Sequence, residues 1–248
     1  MNTFFNVKLE FDREVVNQTI QSTIETGGKG YVCAIESNNL AIANKNTNFN
    51  NVVNGALVNV CDGSNVAWVL SKIYKKNFHS FTGTDLFMHY VNMGCYKQYF
   101  LGNTREILEA LRENLSKIDS KISEMTFDEL PFRAVDEFDY KSIAQTINND
   151  KPDIVWVSLG APKQEEFMSL LQPHLNRGIL FGVGAAFNFK ANIGRVKRAP
   201  EWMRKLRLEW LYRAFNEPGK NIPRYWGFIK ILPKLMRLEL KKRATNPL

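Results

Sequence analysis

Apolar residues form two kinds of pattern along the chain. Short, nearly unbroken apolar runs are typical of strands buried on both faces, and they occur at 30–35, 56–61, 97–101, 154–159 and 178–184. Between these runs, apolar residues recur at helical spacing, at 40–53, 65–74, 86–93, 105–117 and 140–149. Strands that alternate with helices predict βαβ units with right-handed crossovers. We therefore expect an α/β, Rossmann-like fold, with a mainly parallel sheet flanked by helices.

Two regions depart from this alternation. Residues 118–139 are polar and poorly periodic, which predicts an irregular connection with room for a short strand. Residues 200–215 are helical in pattern, and Glu217-Pro218-Gly219 should end that helix. A second helix is predicted at 223–243, kinked at Pro233.

The C-terminal segment is basic and amphipathic. The second helix places one set of apolar residues on one face, namely Tyr225, Ile229, Leu232, Met236 and Leu240, and basic residues on another, namely Lys230, Lys234, Arg237 and Lys241. We therefore expect an α/β domain over 1–195, followed by a basic helical appendage over 196–248 that associates with a membrane.

The net charge of +8 is unevenly distributed. From Lys190 onwards there are 16 basic and 4 acidic residues, so the preceding 189 residues are acidic overall. A basic tail on an acidic body indicates an anionic partner, which is either nucleic acid or an anionic membrane surface. The tryptophans and the continuous apolar stripe of the tail favour the membrane.

Cysteine and histidine spacing predicts neither disulfides nor a metal site. The three cysteines, Cys33, Cys61 and Cys95, are odd in number and far apart, and the three histidines lack ligand spacing. The first residues do not resemble a secretory signal, and no apolar run of about 18 residues is present. We therefore expect a cytoplasmic protein.

A strand, a sharp turn and a helix start are predicted at 153–168. Gly160 ends the apolar run, and Pro162 suits the first turn of a helix. Lys163 and Gln164 would then lie at the carboxyl edge of the sheet, where ligands bind in open α/β folds. A phosphate would be stabilised there by the helix N-terminus and by Lys163. The alternative is an ordinary turn with a solvated lysine.

Two aspartates are candidates for chemistry at the same edge. Asp62 follows a strand and precedes Gly63, so its carboxylate could take a proton from a hydroxyl nucleophile. The alternative is a favoured Asp-Gly turn. Asp85, in Gly83-Thr-Asp85, is a second candidate, with helix capping as its alternative.

Other familiar ligand motifs are incomplete or missing. Gly182-Val-Gly184 resembles a dinucleotide fingerprint, but the third glycine and the later acidic residue are missing, so nicotinamide binding is not expected. Two glycines at a strand end still allow a ligand to approach the backbone closely. No Asp-X-Asp pair occurs in the chain. Many sugar-nucleotide transferases hold a divalent metal ion with such a pair. Its absence predicts that no metal is bound and that a leaving diphosphate would be neutralised by backbone dipoles and by Lys or Arg.

Several motifs together resemble the WecG/TagA/CpsF glycosyltransferases, which form glycosyltransferase family 26. The matching segments are Asp62-Gly63, Gly83-Thr-Asp85-Leu86, Gly160-Ala-Pro-Lys-Gln-Glu165, Gly182-Val-Gly184-Ala-Ala-Phe187, Arg198-Ala-Pro-Glu-Trp202, Leu208-Glu-Trp-Leu-Tyr-Arg213 and Glu217-Pro218. The resemblance runs from about Gly30 to Arg237. One motif departs from the family pattern, because Ala34-Ile-Glu36-Ser37 stands where the family usually has Thr-X-Asn-Pro.

The resemblance implies an inverting, metal-independent enzyme that needs no cofactor. It would move an N-acetylmannosamine-type or related sugar from a UDP-sugar onto an undecaprenyl-diphosphate-linked sugar, peripherally on the inner face of the bacterial membrane. Asp62 would be the general base. Donor, acceptor and their diphosphates would be bound by Gly83, Asp85, Gly160, Lys163, Gln164, Glu165, Gly182, Gly184, Phe187, Arg198, Arg207, Arg213 and Arg224. The alternative is a non-enzymatic membrane-surface module that binds a nucleotide or a polyprenyl phosphate. The sequence leaves open whether the protein forms a homo-oligomer.

Overall fold

The computed structural model describes residues 1–193, 198–206 and 208–245. Its strands are β1 (Asn2–Phe4), β2 (Val7–Leu9), β3 (Lys29–Ile35), β4 (Val58–Cys61), β5 (Gln98–Gly102), β6 (Thr126–Asp128), β7 (Ile154–Ser158) and β8 (Gly178–Gly182). The first two form an antiparallel hairpin. The other six form one parallel sheet in the order β4-β3-β8-β7-β5-β6. The predicted α/β fold with a parallel sheet is therefore confirmed.

Helices connect the strands and cover both faces of the sheet. They are α1 (Arg13–Glu25), α2 (Ser37–Ala43), α3 (Thr47–Asn54), α4 (Ser64–Tyr74), α5 (Gly83–Met93), α6 (Arg105–Ser116), α7 (Tyr140–Asp150), α8 (Lys163–Leu171), α9 (Ala186–Ala191), α10 (Glu201–Lys205), α11 (Glu209–Asn216) and α12 (Pro218–Thr245). Short 3-10 helices lie at Ser120–Glu124, Val135–Glu137 and Gln172–His174.

Several elements differ from the sequence prediction, and one of them is the helix predicted at 200–215, which is two helices, α10 and α11. The single helix predicted at 40–53 is two helices, α2 and α3, because the side chain of Asn46 accepts from the amide of Phe49 and starts a new helix. The hairpin β1–β2 and the helix α1 precede the first predicted strand. The last helix begins at Pro218 and continues through Pro223 and Pro233. The short strand allowed for in 118–139 is present as β6.

The core lies in two layers, one on each face of the sheet. Successive strand side chains point to opposite faces, so Val155 belongs to one layer and Trp156 to the other. The Val155 layer also contains the hairpin, α2, α3, α4, α7, α8 and part of α12. The Trp156 layer contains α1, α5, α6 and α9, and Trp156 packs edge-on against Phe87 with ring centroids 4.9 Å apart.

The helix α12 packs along the body of the protein. Phe228 and Leu235 are buried against the core. Glu239 is also buried, where it accepts from the amide of Phe5 at 2.7 Å and from the hydroxyl of Tyr74. The apolar face predicted for this helix is divided, because Leu232 and Met236 pack on the core whereas Ile229 and Leu240 are exposed.

Candidate active site

A cavity of about 670 Å³ lies at the carboxyl edge of the parallel sheet. Its floor is formed by the residues that follow β3, β4, β7 and β8, and by the first turn of α5. Its outer wall is formed by α11 and the first half of α12. The cavity therefore lies between the α/β body and the C-terminal helices, where ligands of open parallel sheets are bound.

Asp62 and Glu36 stand side by side at this edge. Ile35 and Cys61 are partners in the β3–β4 ladder, and each carboxylate residue follows one of them. The amide of Asp62 donates to the carbonyl of Ile35 at 2.9 Å. Both residues line the cavity. The prediction that Asp62 lies at the same edge as Gly160 is therefore confirmed.

The Asp62 carboxylate is fixed and electrostatically perturbed. Its Oδ1 accepts a hydrogen bond from the amide of Gly83 at 2.8 Å. Burial is the largest cause that raises the pKa of Asp62, from its ordinary 3.8 to about 6, and the charge of Glu36 raises it further. The charge of Arg213 and the Gly83 hydrogen bond oppose this rise. Asp62 is therefore a stronger base than an ordinary aspartate and is still ionised near neutral pH.

Asp85 forms an ion pair with Arg198 across the cavity wall. The distance from Arg198 Nη2 to Asp85 Oδ1 is 3.2 Å, and both residues line the cavity. Thr82 caps α5 by accepting from the amide of Asp85 at 3.1 Å. The capping role considered for Asp85 therefore belongs to Thr82, and the carboxylate of Asp85 instead holds an arginine in place.

Gln164 covers the glycine turns of the cavity floor. It is almost fully buried, and its Nε2 donates to Glu165 Oε1 at 3.1 Å, whereas its Oε1 has no partner among the described residues. A Cβ added to Gly182 would lie 3.1 Å from Gln164 Nε2 and 2.7 Å from Met168 Cε. Gly184 also lines this floor and has a positive φ of 50°, which suits glycine.

Three predicted binding residues lie away from the cavity lining. Lys163 is directed to the 132–138 segment, where its Nζ donates to the carbonyl of Arg133 and lies 5.2 Å from the ring centroids of Phe132 and Phe138. The side chain of Lys163, which was expected to bind a phosphate in the cavity, therefore contacts this segment instead. Gly160, by contrast, lines the cavity and has a φ of 75°.

The other two are buried in the body. Phe187 lies in the core, 5.7 Å from Phe87 between ring centroids. Glu165 is fully buried beneath Gln164, and its Oε2 has no partner among the described residues. Burial raises the pKa of Glu165 from 4.5 to about 7. Neither side chain lines the cavity.

Two arginines reach the site from the C-terminal helices. Arg213 of α11 lies 3.2 Å from Glu209. Burial acts to lower the pKa of Arg213, but the charges of Glu209, Asp62 and Glu36 together outweigh burial and raise it. Arg224 of α12 donates to the carbonyl of Ala161 at 3.1 Å. Both line the cavity. Arg207, also predicted to bind a diphosphate, lies outside the described residues.

Comparison with known proteins identifies the family. The model of the "Glycosyl transferase WecG/TagA/CpsF family" matches residues 3–245. The chain belongs to this family. The resemblance drawn from the motifs is thus confirmed, and the protein is a glycosyltransferase.

The similar proteins include N-acetylglucosaminyldiphosphoundecaprenol N-acetyl-beta-D-mannosaminyltransferases of Staphylococcus aureus, in strains MW2, NCTC 8325 and COL. Each is 26% identical to this chain over 241 residues, which cover 92% of this chain and 88% of the relative. These WecG/TagA/CpsF relatives therefore align over nearly the whole length of the molecule. The family match to residues 3–245 includes the C-terminal helices.

Two further observations concern metals and membranes. Within the described residues of this WecG/TagA/CpsF protein, no three His, Cys, Asp or Glu side chains are grouped so that they could hold a metal ion. Over the same part of the chain, every helix is too short or too polar to cross a bilayer.

Several cavity residues were not among the predicted site residues. They are Glu36, Asn39, Arg204, Glu209 and Tyr225. Glu36 had a usable signal, because it follows a strand directly, as Asp62 does. The others lie on helices whose orientation over the sheet is set by tertiary packing, and the sequence carries no local signal for it.

Proposed function

We propose that this enzyme transfers an N-acetylmannosamine-type or related sugar from a UDP-sugar to an undecaprenyl-diphosphate-linked sugar, with inversion and without a metal ion. The observation that carries the proposal is the fixed carboxylate of Asp62 in a large cavity at the sheet edge. The S. aureus relatives support the choice of substrates, because their name specifies an N-acetylmannosaminyl transfer to N-acetylglucosaminyldiphosphoundecaprenol.

In the proposed reaction, Asp62 acts as general base. Its carboxylate takes the proton of an acceptor hydroxyl as that oxygen bonds to the anomeric carbon of the donor. The bond from the anomeric carbon to UDP breaks on the opposite side, and its electron pair leaves with the diphosphate. The products are the extended lipid-linked sugar, UDP and a protonated Asp62. One displacement from the face opposite UDP inverts the anomeric centre.

Guanidinium groups and the glycine turns would stabilise the departing diphosphate. Arg198 and Arg204 both line the cavity, and the Nε of each is buried without a partner among the described residues. Guanidinium donors match phosphate oxygens well. Gly160 and Gly184 let a ligand come close to the backbone of the cavity floor. Arg224 and Arg213 enter from the opposite wall, and we assign the diphosphates of donor and lipid to this set.

The outward face of α12 supports a location on the inner surface of the cell membrane. Its exposed apolar residues, Ile222, Trp226, Ile229 and Leu240, are accompanied by the exposed cations Lys230, Lys234, Arg237 and Lys241. A helix of this kind lies in the interface, where apolar burial and charge attraction act together. The same helix forms a wall of the cavity, so a lipid-linked acceptor would arrive beside Asp62.

A transfer assay with defined substrates tests the proposal. UDP-N-acetylmannosamine and a short polyprenyl-diphosphate N-acetylglucosamine are incubated with the enzyme, and both UDP release and product mass are measured. We expect a product heavier by one sugar and an equal amount of UDP. A non-enzymatic binding module would instead be supported if the protein binds UDP but neither releases UDP from any of a panel of UDP-sugars nor forms a product.

A further inference from the structure

Glu36 occupies an unusual position relative to the proposed base. The strands β3 and β4 are adjacent and in register at Ile35 and Cys61. Adjacent strands are about 5 Å apart, so the residues that follow them, Glu36 and Asp62, begin side by side at the floor of the cavity. The amide of Glu36 donates to Asn39 Oδ1 at 3.2 Å, which fixes the chain where it turns into α2.

The C-terminal helices bring further charges to this pair. Arg213 on α11 interacts electrostatically with Asp62, Glu36 and its ion-pair partner Glu209. The body thus contributes two carboxylates, and α11 contributes one carboxylate and one guanidinium. Other ionisable groups line the same cavity, namely Asp85, Arg198, Arg204, Tyr212, Glu217, Lys220, Arg224 and Tyr225, while Glu165 is buried below.

We propose that Glu36 is a positioning residue for the reaction, acting on Asp62 in opposition to Arg213, so that the body and the C-terminal helices jointly set how readily Asp62 takes up a proton. This inference rests on the proposed role of Asp62 as general base. It makes α11 part of the acid–base machinery, beyond its place as a wall of the cavity.

The two charges act in opposite directions on the same carboxylate. A neighbouring anion disfavours ionisation of Asp62, and a neighbouring cation favours it. The pKa of Asp62 follows these expected directions. Burial is the largest cause that raises it, Glu36 raises it further, and Arg213 lowers it. General-base efficiency increases as the base becomes more basic, provided that it is still ionised at the working pH. Glu36 makes the base stronger, and Arg213 keeps it ionised.

Substitutions of Glu36 and of Arg213 should therefore move the titration of Asp62 in opposite directions. Glu36→Gln removes an anion and keeps the size of the side chain, so the acid limb of kcat/KM should move to lower pH by about 1 pH unit. Arg213→Gln removes a cation, so the acid limb should move to higher pH by a similar amount. A purely structural role for either residue would lower the rate without moving the limb in these directions.

A conservative variant and a measurement without turnover complete the test. Glu36→Asp keeps the charge and should leave the limb closer to the wild-type position than Glu36→Gln does. The titration of the Asp62 carboxyl carbon, followed by NMR in the full chain and assigned with Asp62→Asn, should show the same opposite movements. Thermal unfolding confirms that each variant is folded.

The outcomes separate this inference from the proposed function. An Asp62 midpoint that is the same in the wild type and in Glu36→Gln overturns the inference, whether or not sugar transfer is observed. Opposite movements of the midpoint in an enzyme that transfers no sugar from any UDP-sugar support the coupling and refute the proposed function. Opposite movements in both NMR and kcat/KM support both.

Discussion

The amide of Gly83 donates a 2.8 Å hydrogen bond to Oδ1 of Asp62. Gly83 is the first residue of α5, so one of the free amides of that helix N-terminus fixes the carboxylate that follows β4. The side chain of Ala34 is nearby, because a Cβ added to Gly83 would lie 3.3 Å from Ala34 Cβ. Asp62 is thus held by a backbone amide at the start of α5, and this part of α5 packs closely against Ala34 near the end of β3.

This contact makes Asp62→Asn a clean test of the base. Asparagine keeps an oxygen that accepts from Gly83, so the fold and UDP binding should be nearly unchanged, whereas loss of a general base typically lowers turnover by about 10²–10⁴-fold. In the wild type, kcat/KM should fall as the pH decreases through about 6, because protonated Asp62 cannot accept a proton. Turnover of Asp62→Asn within threefold of the wild type would assign the base elsewhere, and Asp85 would be tested next.

Chelation tests the proposed metal independence. Turnover in excess EDTA should equal turnover in its absence, because arginines and backbone amides are proposed to neutralise the departing diphosphate. The measurement is UDP release with and without chelator, after dialysis. Activity lost on chelation and restored by Mg²⁺ or Mn²⁺ would show that a metal ion takes that role.

The close approach of Gln164 to Gly182 predicts a defect in Gly182→Ala. The new methyl group would lie 3.1 Å from Gln164 Nε2 and 2.7 Å from Met168 Cε, so both side chains must move. We expect KM for the UDP-sugar to rise several-fold and the free energy of unfolding to fall by about 1–3 kcal/mol.

A second glycine provides the matched control for that variant. Gly227 lies within α12, and a Cβ added there would meet no atom within 4 Å. Gly227→Ala should therefore leave KM unchanged and stabilise the protein by up to about 1 kcal/mol. Equal KM values of Gly182→Ala and the wild type for the UDP-sugar would show that Gln164 is not part of the donor site.

Glu165 predicts a pH-dependent stability. Its pKa is raised to about 7 in the folded protein from an ordinary 4.5, so its contribution to stability is fully present below about 4.5 and decreases as the pH rises to 7. Above pH 7 the buried charge costs on the order of 3 kcal/mol. Glu165→Gln should then be more stable than the wild type at pH 8, and the difference should shrink towards pH 5. Urea unfolding at the two pH values measures this, and a variant that is less stable at pH 8 would contradict it.

The outward face of α12 predicts membrane binding that can be removed without unfolding. Trp226 and Ile222 are each more than half exposed, so Trp226→Gln with Ile222→Gln should leave thermal unfolding unchanged and weaken sedimentation with anionic vesicles severalfold. Val15→Gln, which changes an exposed apolar residue on α1, is the control and should bind vesicles as the wild type does. Equal vesicle binding by all three proteins would refute the membrane role of α12.

The sequence predicted best where a local pattern determines the structure. The strands ending at Cys61 and Ser158 are buried on both faces, and an aspartate or glycine within two residues of the end of such a strand lies at the ligand edge. Asp62 and Gly160 were therefore located correctly. Lys163 was not, because its direction depends on the aromatic residues Phe132 and Phe138, which come from a segment without periodicity.

The C-terminal helix carries apolar residues outside the predicted stripe, among them Phe228 and Leu235. The stripe alone therefore does not decide which residues face the body. Tertiary packing selects Phe228 and Leu235, and it buries the polar Glu239 because Phe5 and Tyr74 satisfy the carboxylate.

The position of Glu239 has a consequence for the order in which the protein matures. Its carboxylate is the acceptor for the amide of Phe5 and the hydroxyl of Tyr74, which are synthesised long before it. In a nascent chain that already contains the described strands but not α12, water takes the place of Glu239 as acceptor for these two donors, and the outer wall of the cavity is still absent. Closure of the hairpin onto α12 is therefore a late event, so a prematurely terminated chain would keep its sheet and lose the assembled pocket.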